Sequence, residues 1–191
     1  MPKVNLRLLL CFCLFAIFYN SHLLLAADKP TAPSVGDTAA DFELKSIAGD
    51  KVKLSKVAED GPVVVMVLRG NPGYQCPLCT KQVAEFIGKG DDIKKAGAKV
   101  LLVYPGPSSK LQAKAEEFVK GKDYPEHFTL LLDPDYTFTK AYGLRWEAKN
   151  ETAYPSTFVV DKKLKVTFAK VSKEHGDRSK ANDVLKALAA K

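Results

Sequence analysis

The run Pro62-Val-Val-Val-Met-Val-Leu68, bounded by Gly61 and Gly70, leaves this chain the fewest structural choices. A continuous apolar stretch rich in β-branched residues reads as a strand covered on both faces, as in the middle of a parallel sheet. It delivers the chain to the carboxyl edge of that sheet. There the sequence runs Arg69-Gly-Asn-Pro-Gly-Tyr-Gln-Cys-Pro-Leu-Cys-Thr80 and then changes period. Val83, Phe86 and Ile87 fall at helical spacing, while Lys81, Gln82 and Glu85 fill the other face. Pro77 suits a first helical turn, whose N–H groups have no internal partner.

Strand, Gly/Pro loop, Cys-Pro-Leu-Cys and amphipathic helix, in that order, place Cys76 and Cys79 at a helix start. The positive end of a helix dipole and its unpaired N–H groups favour a thiolate, and a second thiol one turn away can close a short disulfide. The pair therefore reads as redox-active. Its alternatives are two buried structural thiols and half of a metal site. A zinc site wants four ligands, and beyond residue 27 there is no further cysteine and only His127 and His175, without ligand spacing. Neither a metal nor a cofactor is expected.

Lys3 and Arg7 precede an apolar stretch from Leu8 to Tyr19, the polar break Asn20-Ser21-His22, and Leu23-Leu24-Leu25-Ala26-Ala27. This is the layout of a secretory signal, so residues 1–27 are expected to be removed, with Cys11 and Cys13. The protein is then secreted or periplasmic. A retained membrane anchor is the alternative, since Leu8 to Ala27 approaches the length that spans a bilayer. What remains is one domain's worth of chain with two cysteines, too few for a disulfide scaffold. The net charge is +7, but the lysines are dispersed without a basic, aromatic-interleaved stripe. A solvated surface explains them, and no nucleic-acid partner is expected.

Residues 28–34, with two prolines, read as a linker, and residues 35–191 as the domain. Asp41-Phe42-Glu43-Leu44 and the alternating Val52 and Leu54 flank a Gly49-Asp50 turn, predicting an N-terminal β-hairpin. Lys99 to Tyr104 and Phe128 to Leu132 read as further strands. Between them Ser108 or Ser109 can cap a helix carrying Leu111, Ala115, Phe118 and Val119. A short helix from Tyr136 to Tyr142 stops at Gly143. Ser156 to Val160 and Lys165 to Ala169 are too close in sequence for anything but an antiparallel hairpin, and a helix from Ser179 to Ala190 turns Val184, Leu185 and Leu188 inward. The sum is an α/β domain, a central mixed sheet flanked by helices.

Gly36-Asp37-x-Ala-x-Asp41-Phe42-x-Leu44, the Cys-Pro-Leu-Cys after a valine-rich strand, Asp133-Pro-Asp135 before Tyr142-Gly143, and Pro155-Ser-Thr-Phe-Val-Val-Asp161 follow one another in a specific order. Together they resemble the peroxiredoxin-like proteins of the alkyl hydroperoxide reductase and thiol-specific antioxidant (AhpC/TSA) family, over roughly Val35 to Ala190. The resemblance implies a thioredoxin fold and a thiol-dependent antioxidant oxidoreductase that reduces peroxides through a Cys76–Cys79 dithiol/disulfide cycle. A thioredoxin-like or membrane electron donor and a homodimer are compatible with it. Pro72 and Cys79 fall at the spacing of the peroxiredoxin Pro-x-x-x-Thr-x-x-Cys pattern, which puts Cys79 where the peroxide-reducing cysteine would be, but Cys76 replaces the threonine and Pro155 stands where an arginine usually does. Both departures remove groups that polarise a peroxide, which predicts slower peroxide reduction than in a typical peroxiredoxin.

The same residues also resemble exported thioredoxin-like reductases, which act on protein disulfides. Under that alternative Cys76, the more exposed thiol at the helix cap, attacks the partner and Cys79 resolves the mixed disulfide. Pro155 then takes the place of the thioredoxin cis-proline, whose backbone groups stay free to pair with substrate. Arg69-Gly70 and Arg178 are similar to the Arg-Gly and late arginine of a subset of peroxiredoxin-like proteins. Taken alone, Arg178 reads by default as a surface ion-pair partner.

Overall fold

The computed structural model describes residues 30–190. The expected signal segment, residues 1–27, lies outside the described residues, as do Cys11 and Cys13. Along the chain the elements are β1 (Glu43–Ser46), β2 (Lys51–Lys53), α1 (Leu54–Ala58), β3 (Val63–Val67), α2 (Pro77–Ile87), α3 (Gly90–Lys95), β4 (Lys99–Gly106), α4 (Ser108–Val119), β5 (Phe128–Pro134), α5 (Thr137–Ala141), β6 (Ser156–Val160), β7 (Val166–Val171) and α6 (Ala181–Ala189).

The strands form one sheet in the order β2-β1-β5-β4-β3-β6-β7, and the valine-rich run is its β3. Strands β3, β4 and β5 are mutually parallel; β1 and β6 join them antiparallel, and β2 and β7 complete the edges as hairpin partners. Side chains alternate across a strand. Val64, Met66 and Leu68 therefore pack under α2, α4 and α6 with Val83, Phe86, Phe118 and Val184, whereas Val63, Val65 and Val67 pack on the opposite face with Leu54, Phe138 and Tyr142. Helices cover both faces, which is why β3 has no polar position.

The expected hairpin forms, but Leu54 starts the short helix α1 instead of extending β2. Neither α1 nor α3 had a pattern long enough to read. The seryl caps do not materialise: Ser108 is the first residue of α4, and its N–H is capped from a distance by Asp135 Oδ1 at 3.0 Å. Helix α6 begins at Ala181, leaving Ser179 buried ahead of it. Gly143 does end α5, with φ +63° and at a place where an added Cβ would collide with the backbone of Pro30 and Thr31.

Candidate active site

The site is built where β3 leaves the sheet. Gly70 turns the chain with φ +72°, and a Cβ there would lie 2.1 Å from the Pro105 carbonyl oxygen, so only glycine lets the loop pass β4. Farther on, Gln75 is fastened on two sides: Tyr104 Oη donates to its Oε1 at 2.9 Å, and its Nε2 donates to the Lys114 carbonyl at 2.9 Å. Cys76 follows as the extended N-cap of α2 and Pro77 is the first helical residue, as the sequence predicts. Pro72 is half-buried in a cleft of about 370 Å³ that also involves Tyr104, Lys110, Tyr136 and Glu151; neither cysteine lines it.

Cys76 and Cys79 are both free thiols, and they are 2% and 1% exposed. This corrects the expectation of an exposed cap thiol: Cys76 is buried almost as completely as Cys79, because the helix start belongs to the core that α2 forms with β3 and β4. The pair is flanked by cationic and N–H groups. The Arg69 N–H donates to Cys79 Sγ at 3.3 Å, and Arg178 Nη2 lies 3.7 Å from Cys76 Sγ and 3.6 Å from Cys79 Sγ. A hydrogen bond from the Cys79 side chain, helped by the Cys79 N–H and the two arginines and opposed by burial, brings the Cys76 thiol down to about 5. Burial, then the hydrogen bond to Cys76, pushes Cys79 far up. The two sulfurs thus divide into a thiolate and a thiol.

Arg178 is no surface ion-pair partner. Its Nε donates to the His175 carbonyl at 2.8 Å and its Nη1 to Gln82 Oε1 at 2.9 Å, which aims the remaining nitrogen at the sulfurs. Gln82 is itself buried, bonded to Ser179, whose hydroxyl reaches Thr157 Oγ1 at 2.8 Å. Its assignment to the solvent face of the helix is therefore wrong: residues 79, 82, 83 and 86 share the inner stripe, and Gln82 is there to hold Arg178. Arg69, 4% exposed, is bonded by Glu151 through Nε–Oε2 at 2.8 Å and Nη2–Oε1 at 3.0 Å, and by Tyr74 Oη at 2.8 Å. Thr152 Oγ1 donates to the Arg69 carbonyl, and His175 Nε2 lies 3.0 Å from Glu151 Oε1. Burial raises the Glu151 carboxyl, but the hydrogen bonds from Arg69 and His175 outweigh it and hold it below the usual range.

Pro155 is corrected as well. No peptide bond among the described residues is cis, and the Pro155 carbonyl accepts the Ser172 N–H at 2.9 Å, so it is not free to pair with a substrate. Sequence reasoning also missed Glu151 and His175. Their partners lie 82 and 24 positions away, and no local pattern marks them. Gln82 could have been found, as a polar residue on the stripe that carries Cys79.

Residues 35–169 match the family model described as the AhpC/TSA family. The chain belongs to the AhpC/TSA family. A Mycobacterium tuberculosis protein that bears a peroxiredoxin name is 32% identical over 157 residues, covering 81% of this chain and 96% of the relative. Chloroplastic peroxiredoxin Q of Oryza sativa subsp. japonica is 35% identical over 129 residues, covering 68% of this chain and 55% of the relative. Among solved structures, peroxidoxin BcpB from Mycobacterium tuberculosis matches with a TM-score of 0.69 and 26% identity over 82% of this chain and 96% of that one. A peroxiredoxin-like protein from Aquifex aeolicus, at 18% identity and a TM-score of 0.65, shares the fold. This AhpC/TSA member is thus a thioredoxin-fold, peroxiredoxin-like thiol oxidoreductase.

Proposed function

We propose that the protein reduces peroxides with Cys76 as the attacking thiolate and Cys79 as the resolving thiol. The observation that carries this reading is the Arg178 guanidinium within 3.7 Å of both sulfurs at the N-terminus of α2. It supplies near the sulfurs the positive charge that Pro155 cannot. In the first step the Cys76 thiolate attacks one peroxide oxygen; the O–O bond breaks, the sulfur becomes a sulfenic acid, and the other oxygen leaves as an alcohol or water after taking up a proton. Cys79 then attacks that sulfur, an S–S bond forms and water departs. A thioredoxin-like dithiol returns the two electrons by exchange.

Disulfide exchange with exported proteins is the weaker reading. Attack on a disulfide needs the sulfur in line with an S–S bond held by a folded partner, whereas both sulfurs here are almost fully buried and the Pro155 carbonyl is occupied. A hydroperoxide needs a far smaller opening. Stopped-flow oxidation of the reduced protein by hydrogen peroxide and by a mixed-disulfide peptide tests the choice. Peroxide should react well above the rate of free cysteine. If the peptide wins by orders of magnitude and peroxide matches free cysteine, the peroxidase reading is lost.

Export rests on the charged, apolar and small-residue order of residues 1–27. Amino-terminal sequencing from the native host should find a start near Asp28; a retained Met1 on membranes identifies the anchored form, whose donor would then be sought in the membrane. Sedimentation of the reduced and oxidised protein decides whether it pairs as a homodimer.

A further inference from the structure

Two segments supply the charge and the backbone donor at the sulfurs, and they come from distant parts of the chain. Arg69 follows β3 and gives its N–H to Cys79, whereas Arg178 precedes α6 and brings its guanidinium to both cysteines. Neither segment is part of a helix or strand at that point. What joins them is one carboxylate. Glu151, its side chain 11% exposed, receives Arg69 through two nitrogens and meets His175 at its Oε1, and the His175 carbonyl in turn receives Arg178 Nε.

We propose that Glu151 is a positioning residue of the thiol site, clasping the Arg69 segment to the His175–Arg178 segment so that both keep their donors on the sulfurs. The proposal rests on the function assigned above, with Cys76 as the thiolate. It also gives the consecutive residues Asn150-Glu151-Thr152 a shared structural role. The Asn150 carbonyl accepts Arg69 Nη2 at 3.1 Å, Glu151 holds the guanidinium, and Thr152 caps the Arg69 carbonyl, so three consecutive residues grip one arginine.

The sign of a single measurement separates positioning from a mere neighbouring charge. A carboxylate by itself disfavours a nearby thiolate, so deleting its charge should make Cys76 easier to ionise. If instead Glu151 keeps Arg178 in place, deleting it makes Cys76 harder to ionise. The readout is the pH profile of Cys76 alkylation by iodoacetamide on the reduced full chain, followed by peptide mass, beside the hydrogen peroxide rate. Glu151→Gln should raise the midpoint by about one to two pH units, which lowers alkylation at pH 6 by roughly two- to tenfold. Glu151→Asp should recover part of the shift. In an Arg178→Met background the same Glu151→Gln change should have much less effect, because the clasp then has little left to position.

A Glu151→Gln midpoint that is unchanged or lower overturns the proposal, and so does a shift of equal size with and without Arg178. Should Glu151→Gln not fold, His175→Ala decides: its side chain is 41% exposed, so its loss threatens the core little, and a raised midpoint supports the clasp while an unchanged one overturns it. A wild-type protein without a depressed midpoint or without peroxide reactivity would instead remove the proposed function itself.

Discussion

Cys76 and Cys79 sit one helical turn apart under the same guanidinium, yet they are pushed in opposite directions, because one sulfur can accept the other's hydrogen bond only if the donor keeps its proton. Arg178→Met should therefore raise the alkylation midpoint of Cys76 by about one to three pH units and slow oxidation by peroxide, an effect to be read from the pH profile of iodoacetamide labelling. Cys79→Ser should leave Cys76 able to react once but unable to form the disulfide, so a sulfenic acid accumulates and can be trapped with dimedone and seen by mass. Cys76→Ser should abolish both. If Cys79 alone forms the trapped sulfenic acid, the two roles are exchanged. Because both sulfurs are in the core, each serine variant should also lose some stability, a cost absent from an exposed pair.

At the scale of elements, the site depends on how β3 hands the chain to α2. Gly70→Ala meets two obstacles, a left-handed backbone and the Pro105 carbonyl oxygen 2.1 Å from the new methyl, so the loop must move or the sheet edge must yield. The expected loss is about 2 kcal/mol or more, measurable by urea unfolding, with slower peroxide turnover as the Arg69 N–H leaves Cys79. Most of this handover was legible in sequence: the strand, the loop, the N-cap and Pro77 all stand where their patterns place them. Gln82 counts as polar in any periodicity; its place on the Cys79 stripe is visible in the spacing, but Arg178 and Ser179, the partners that make its burial favourable, reach it only in the tertiary structure.

Across the whole molecule the thiolate couples folding to pH. Cys76 ionises at about 5 when folded, against an ordinary value of 9.0, so the reduced fold gains stability as pH rises between those values and loses it again as pH falls through 5. Cys79 acts in the opposite sense only above its ordinary value of 9.0, where the unfolded chain ionises and the fold does not. Urea midpoints of the reduced protein should therefore climb from pH 5 towards pH 9. Disulfide-bonded protein, which has neither group to titrate, should lack that climb; parallel curves for the two forms would refute the assignment of a buried thiolate.

The sequence alone determined that β3 is central, that the sheet is mixed and covered on both faces, and that two cysteines meet at a helix start, since each follows from the local period of apolar residues and from Gly and Pro at fixed points. Tertiary structure decided what surrounds the sulfurs. Gln82, Glu151 and the His175–Arg178 segment come from separate parts of the chain, and an arginine that looks like surface charge in sequence becomes a thiolate partner only when folding has brought it to the sulfurs and occupied its other nitrogens. The trans Pro155 and its engaged carbonyl belong to the same class, because the β6–β7 register that brings Ser172 to it is set by pairing across the sheet and not by the residues beside it.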